Sequence, residues 1–196
     1  MPTRGSPRRR RVSVAGAALA ALTTVAIFAP AGAGTGGHSD PNDSLSRLDV
    51  SRVSHGHKLS RGERKPRLTH RIKTHDVWRA SLLDGRPSSI DIFITTDRDP
   101  RVERRIVIDA ARGELRARMI SHSGVVVGRP SVWKPNRRTI SLAFGRRTLG
   151  RRVTSYRWYA TTTFHRSSSE NCGDAGSVTI ICWDRAPDRG YIEHRR

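Results

Sequence analysis

From Asp76 onward, apolar residues recur at every second position in short runs, and this alternation constrains the fold more than any other feature of the chain. Ile90, Ile92 and Ile94 alternate with Asp91, Phe93 and Thr95, and Ile106 and Ile108 share one face of the run over 104–110. A period of two marks an extended strand with two unlike faces, whereas a helix would need apolar residues three to four apart. Further short runs cover 77–83, 114–120, 125–127, 139–144, 153–164, 178–183 and 191–194. In the longest, Tyr156, Trp158, Ala160, Thr162 and Phe164 fall on one face, and Arg157, Tyr159, Thr161 and Thr163 on the other. Turn-forming groups separate the runs: Asp97-Arg98-Asp99-Pro100, Ala111-Arg112-Gly113, Ser123-Gly124, Lys134-Pro135-Asn136 and Gly145. Eight or nine short strands without an amphipathic helix predict an all-β domain over 76–196. The expected architecture is an antiparallel β-sandwich, with a jelly-roll as the alternative.

The N-terminus has a different grammar. Arg4 and the run Arg8 to Arg11 precede an apolar stretch from Val12 to Phe28, which small residues close at Ala29-Pro30-Ala31 and Ala31-Gly32-Ala33. That is the layout of a secretory signal peptide, expected over 1–33. Ser13, Gly16, Thr23 and Thr24 dilute the apolar stretch, and no later segment has 18 apolar residues in a row, so no transmembrane helix is expected after cleavage. The paired arginines leave the export route open between the general and twin-arginine pathways. The mature chain is expected to be secreted, extracellular or associated with the cell envelope. Residues 34–75 are rich in Gly, Ser, Asp, His and Arg with scattered Leu, Val and Ile, and read as a disordered basic linker. The pair His55-Gly56-His57 lies there, without the Cys or carboxylate pattern that would complete a metal site.

The full chain has 37 basic and 17 acidic residues, and loss of the five arginines in 1–33 would leave a net charge of 32 − 17 = +15. Arginine supplies 33 of the 37, a bias that GC-rich coding produces by itself, so the charge does not specify a nucleic-acid ligand. It does favour polyanions through counterion release. Outside a cell, the available polyanions are anionic envelope polymers, lipid headgroups and free nucleic acid. Cys172 and Cys182 are the two cysteines, and in an oxidising compartment they are expected to form a disulfide that staples a turn-rich loop. Its stabilisation would be roughly 2 to 3 kcal/mol.

The strings Ser141-Leu142-Ala143-Phe144, Leu149-Gly150, Tyr156-Arg157-Trp158-Tyr159-Ala160-Thr161-Thr162 and Asp184-Arg185-Ala186-Pro187-Asp188-Arg189-Gly190, followed by His194, carry a resemblance. The stretch 76–196 resembles a family of secreted bacterial domains without assigned function, themselves similar to DOMON-like and related carbohydrate-binding β-sandwiches. The resemblance implies a sandwich, and its short motifs specify architecture more than activity. It implies no redox role, because no haem-ligand arrangement maps onto this chain.

Trp78, Trp133, Trp158 and Trp183, with Tyr156, Tyr159 and Tyr191, offer apolar plates that can stack on sugars. Tyr156 and Trp158 share a face with Phe164 and are expected in the core. Trp133, in a turn-rich stretch, and Tyr159 with Arg157, on the opposite face, are the three ligand-binding candidates. Asp97 and Asp99, with Glu103, could hold Ca²⁺ through oxygen ligands, although Asp residues also cap plain turns. Asp184 and Asp188 are expected to pair with Arg185 or Arg189. His165 precedes Ser167-Ser168-Ser169 and His122 lies between Ser121 and Ser123, but no G-x-S-x-G elbow is present and no catalytic residue is assigned. The sequence therefore favours a secreted, non-catalytic binding module for a carbohydrate or an anionic envelope polymer. The alternatives are a small exported hydrolase or enzyme inhibitor without a recognisable motif, and a domain that only caps a partner in a complex.

Overall fold

The computed structural model describes residues 36–44, 46–58, 67–85, 88–96, 101–150, 153–165 and 181–195, all within the unit Gly32–Arg196. The described residues form two antiparallel sheets. One is ordered β1 (Gly36–Ser39), β2 (Val50–Lys58), β3 (Arg67–Thr74), β9 (Thr139–Phe144), β8 (Ser131–Trp133). The larger is ordered β11 (Ile181–Ala186), β10 (Tyr156–His165), β4 (Ser89–Thr95), β5 (Arg104–Ala111), β6 (Glu114–Ser121), β7 (Val126–Gly128). A last strand, β12 (Ile192–His194), pairs with the start of β10 beyond the end of β11. The β-sandwich expected from the alternation is the observed fold. Successive strands β1 to β3 stay in one sheet and β4 to β7 in the other, so meanders replace the interleaved Greek keys of the jelly-roll alternative.

The alternation sets the core. Ile90, Ile92 and Ile94 of β4, Ile106 and Ile108 of β5, Met119 of β6 and Trp158 of β10 all point inward and are fully buried. Val53, Leu68, Ile72, Ile140, Leu142 and Phe144 face them from the smaller sheet. The hairpin β5–β6 closes through Arg112 (φ 53°) and Gly113 (φ 76°), two successive left-handed residues whose twist matches that of the flanking strands. The run 77–83 makes a 3-10 turn at Ala80–Leu83 and no strand.

The reading of 34–75 as a disordered linker is corrected: within it, β1, β2 and β3 supply three of the five strands of the smaller sheet. Leu48, Val50 and Val53 are fully buried, and β3 alternates inward Leu68, His70, Ile72 and Thr74 with outward Arg67, Thr69, Arg71 and Lys73. Several inward positions are occupied by histidine, whose ring fills core volume but which hydropathy counts as polar. The signal peptide expected over 1–33 lies outside the described residues. Among the described residues, no helix is long and apolar enough to cross a membrane.

Candidate functional site

The outer face of the larger sheet carries an ordered row of arginines and aromatic rings. Register places Arg185 (β11), Tyr159 (β10), Phe93 (β4) and Arg105 (β5) on successive strands with side chains on this face. The guanidinium of Arg185 lies 4.2 Å from the Tyr159 ring centre, Tyr159 stacks on Phe93 at 4.8 Å and 11°, and Arg105 lies 5.4 Å from the Phe93 ring centre. Beside this row Arg157 lies 5.2 Å from the ring of Tyr191, whose edge meets Tyr159 at 5.5 Å. Cation–π contact and stacking hold each guanidinium in a defined place at a modest entropic cost.

Asp91 lies beneath the row, buried, and its carboxylate accepts hydrogen bonds from Arg105 Nε at 3.0 Å and Ser89 Oγ at 2.8 Å. The Asp91 hydrogen bond raises the pKa of Arg105 above its ordinary value and so fixes its charge. Burial raises the pKa of Tyr159, an effect that nearby Arg185 partly offsets, so the hydroxyl stays neutral. Farther along the sheet, Arg116 and Arg118 flank Asp109 at 3.4 and 2.7 Å, and the face continues into a cleft of about 750 Å³ lined by Ser88, Ser89, Asp109, Arg116, Arg118 and Arg129 among others.

The structure brings together two of the three ligand-binding candidates, Arg157 and Tyr159. Trp133 lies elsewhere, on the outer face of the smaller sheet, paired with Ser141 and with Lys58 Nζ 4.8 Å from its ring centre. Tyr159 is not an open plate, since Arg185 covers one side and Phe93 the other. The large exposed aromatic of this sheet is Trp183, 60% exposed on β11 and opposite Thr163. Alternation within β11, outward Trp183 and Arg185 against inward Cys182 and Asp184, is a sequence signal that selects it. The calcium candidates Asp97 and Asp99 lie outside the described residues, and Glu103 accepts a hydrogen bond from Thr96 Oγ1. Cys182 is buried opposite Phe164, while its expected partner Cys172 lies outside the described residues.

His55 and His57 point inward from β2 and meet His194 of β12, with ring centres 4.6 and 4.9 Å away. Trp158 Nε1 donates to His55 Nδ1 at 3.2 Å, and the Tyr156 hydroxyl lies 3.1 Å from His70 Nε2. Burial pushes the pKa of His55, His70 and His194 down, His70 well below its ordinary value and His194 to about 4. For His194 the positive ends of His55, His57 and Arg146 add to that effect. A base with a depressed folded-state pKa is protonated first in the unfolded chain, so its contribution is complete above about pH 6.5 and is lost as pH falls toward 4. Substituting His194→Phe, which keeps the ring that stacks on Tyr156, removes this dependence. Between pH 7.5 and 4.5 the wild type should lose about 2 kcal/mol of urea stability relative to the variant. Parallel pH profiles for the two proteins would refute that assignment.

No family model, no curated protein and no solved structure matches this chain, so its candidate site rests on the residues themselves.

Proposed function

We propose that this protein is a secreted, non-catalytic binding module that engages an anionic polymer, such as an acidic polysaccharide of the cell envelope, through the outer face of its larger sheet. The observation that carries this reading is the row Arg185–Tyr159–Phe93–Arg105, in which aromatic rings space and order guanidinium groups. Guanidinium groups donate pairs of hydrogen bonds to carboxylate, sulfate or phosphate oxygens, and a repeating polymer supplies such groups at intervals. An anionic ligand suits this face better than a neutral sugar, because the flat sides of Tyr159 and Phe93 are already occupied. The basic residues left after export, 32 against 17 acidic, would add long-range attraction. Secretion is supported by the arginine-led apolar segment before Ala33.

The test is retention of the purified chain on polygalacturonate, polyphosphate and neutral cellulose over a range of salt. Binding to the two anionic polymers should fall linearly with salt on logarithmic axes, with little retention on cellulose. Replacing Arg157 and Arg118 by glutamine should weaken it roughly tenfold for each charge-assisted hydrogen-bond pair removed. Arg105 is a poor choice for this test, since its removal would strand the buried Asp91. Undiminished binding by the double variant would refute the face as the site. Salt-resistant retention on cellulose that Trp183→Ala abolishes would replace the proposal by a sugar-stacking one.

A further inference from the structure

In a strongly basic chain, five aspartates converge where the connection before β2 meets β11 and the turn after it, segments far apart in sequence. Asp40, Asp43 and Asp49 come from the connection between β1 and β2. Asp184 points inward from β11, and Asp188 follows it in the next turn. They form two triads that share Asp184: in Asp40–Asp184–Asp188, and again in Asp43–Asp49–Asp184, one carboxylate oxygen from each residue lies within 4.8 Å of the others.

Crowded carboxylates alone do not make a site; the independent observation is that the buried members lack hydrogen-bond partners among the described residues. Asp40 and Asp49 are only 6% and 1% exposed, and all four of their carboxylate oxygens are shut off from solvent without a donor in hydrogen-bonding geometry among the described residues. His38 Nε2 lies 3.9 Å from Asp40 Oδ1 and belongs to a half-exposed side chain. His75 Nε2 is engaged instead with the Asp40 carbonyl at 3.3 Å. Asp184 uses one oxygen to accept the Val50 N–H at 2.6 Å, within reach of both triads. Burial and then the repulsion of Asp184 push the carboxyls of Asp40 and Asp49 up to about 7; at Asp49 the nearby His75 and the Ser44 N–H pull the other way and offset only part of the rise. Leaving buried polar atoms unsatisfied is costly, and natural proteins place a partner, a water or an ion against them.

We propose that this cluster is a calcium site built around Asp184, whose carboxylate, shared by the triads Asp40–Asp184–Asp188 and Asp43–Asp49–Asp184, anchors a Ca²⁺ ion. The spacing agrees with the ion: oxygens across a Ca²⁺ centre stand up to about 5 Å apart, twice a Ca–O distance of about 2.4 Å. An all-oxygen, all-carboxylate donor set selects a hard cation over zinc or copper, and irregular loops that can supply six to eight oxygens suit calcium better than the strict octahedron of magnesium. Bound there, the ion would clamp the connection before β2 onto β11, joining the two sheets where Asp184 already reaches Val50. This site is independent of the arginine face and of the polyanion reading.

The experiment is thermal unfolding and titration calorimetry of the purified full-length chain in 1 mM EGTA, 5 mM CaCl₂ and 5 mM MgCl₂, with Asp40→Asn and Asp49→Asn alongside. Calcium should raise the wild-type Tm by about 5 °C or more over EGTA and magnesium should do much less. Each asparagine variant, relieved of a buried charge, should match or exceed the wild-type Tm in EGTA while losing most of the calcium shift and at least tenfold in calcium affinity. The proposal is overturned if calcium gives the wild type neither heat nor a Tm shift, if magnesium acts equally, or if the asparagine variants keep the full calcium response.

Discussion

A chain shortened to residues 67–196 is expected not to fold cooperatively, although it keeps every segment in which alternation announces strands. The missing β2 and the connection before it bring Leu48, Val50 and Val53, all fully buried, into the core. At about 1.5–3 kcal/mol for each buried aliphatic side chain, their loss costs about 5–9 kcal/mol, a large part of the stability of an ordinary domain. Polar groups on the remaining chain would be orphaned as well. Trp158 Nε1 would lose His55, Thr162 Oγ1 would lose the Leu48 carbonyl at 2.9 Å, and Asp184 would lose the Val50 N–H. Far-UV circular dichroism and a urea titration of the shortened chain provide the check. A sharp transition at the wild-type midpoint would show that β1 and β2 are an appendage.

The second large effect is expected at Trp158, the largest fully buried side chain. It lies on β10 opposite Ile94 and packs edge-on to His70 at 4.5 Å while donating to His55. Trp158→Ala should cost about 3–5 kcal/mol, since the cavity would lie between two hydrogen-bonded sheets that cannot collapse into it. Trp158→Phe keeps most of the volume and removes the indole donor, leaving His55 Nδ1 unpaired, at about 1–2 kcal/mol. Equilibrium urea unfolding of both variants separates packing from hydrogen bonding. A cost below about 2 kcal/mol for the alanine variant would mean that this end of the sandwich is loosely packed.

The two kinds of strand differ in how legible they are. In β4 the inward positions are Ile90, Ile92 and Ile94, so composition and burial coincide and a sequence pattern suffices. In β2 and β3 the inward positions include His55, His57, His70 and Thr74, residues whose place in a core depends on partners that the local sequence does not contain. His70 is tolerated inside because Tyr156, Phe144 and Trp158 surround it, and all three come from strands at least 70 residues later. The same distance hides the aspartate cluster. Local sequence offers Asp184 its neighbours Arg185 and Arg189 as partners, yet Arg185 faces the opposite side of β11 and reaches the carbonyl of Gly190 at 2.8 Å.

The candidate face divides along the same line. Alternation alone puts Arg157 and Tyr159 on the outward side of β10, because the pleat fixes side-chain direction every second residue. That Tyr159 is a spacer between Arg185 and Phe93, and that Trp133 stands on the other sheet, follows only from register across strands. By itself the sequence determined the strand character of β4, β5, β6, β9 and β10 and, for β4, β5 and β10, which face enters the core. The tertiary structure alone decided that the histidine-rich segment before Asp76 belongs to the fold and which distant charges meet. A pleat is a local property of the backbone, whereas the environment that makes a buried histidine acceptable or gathers five aspartates is created only when remote strands pair.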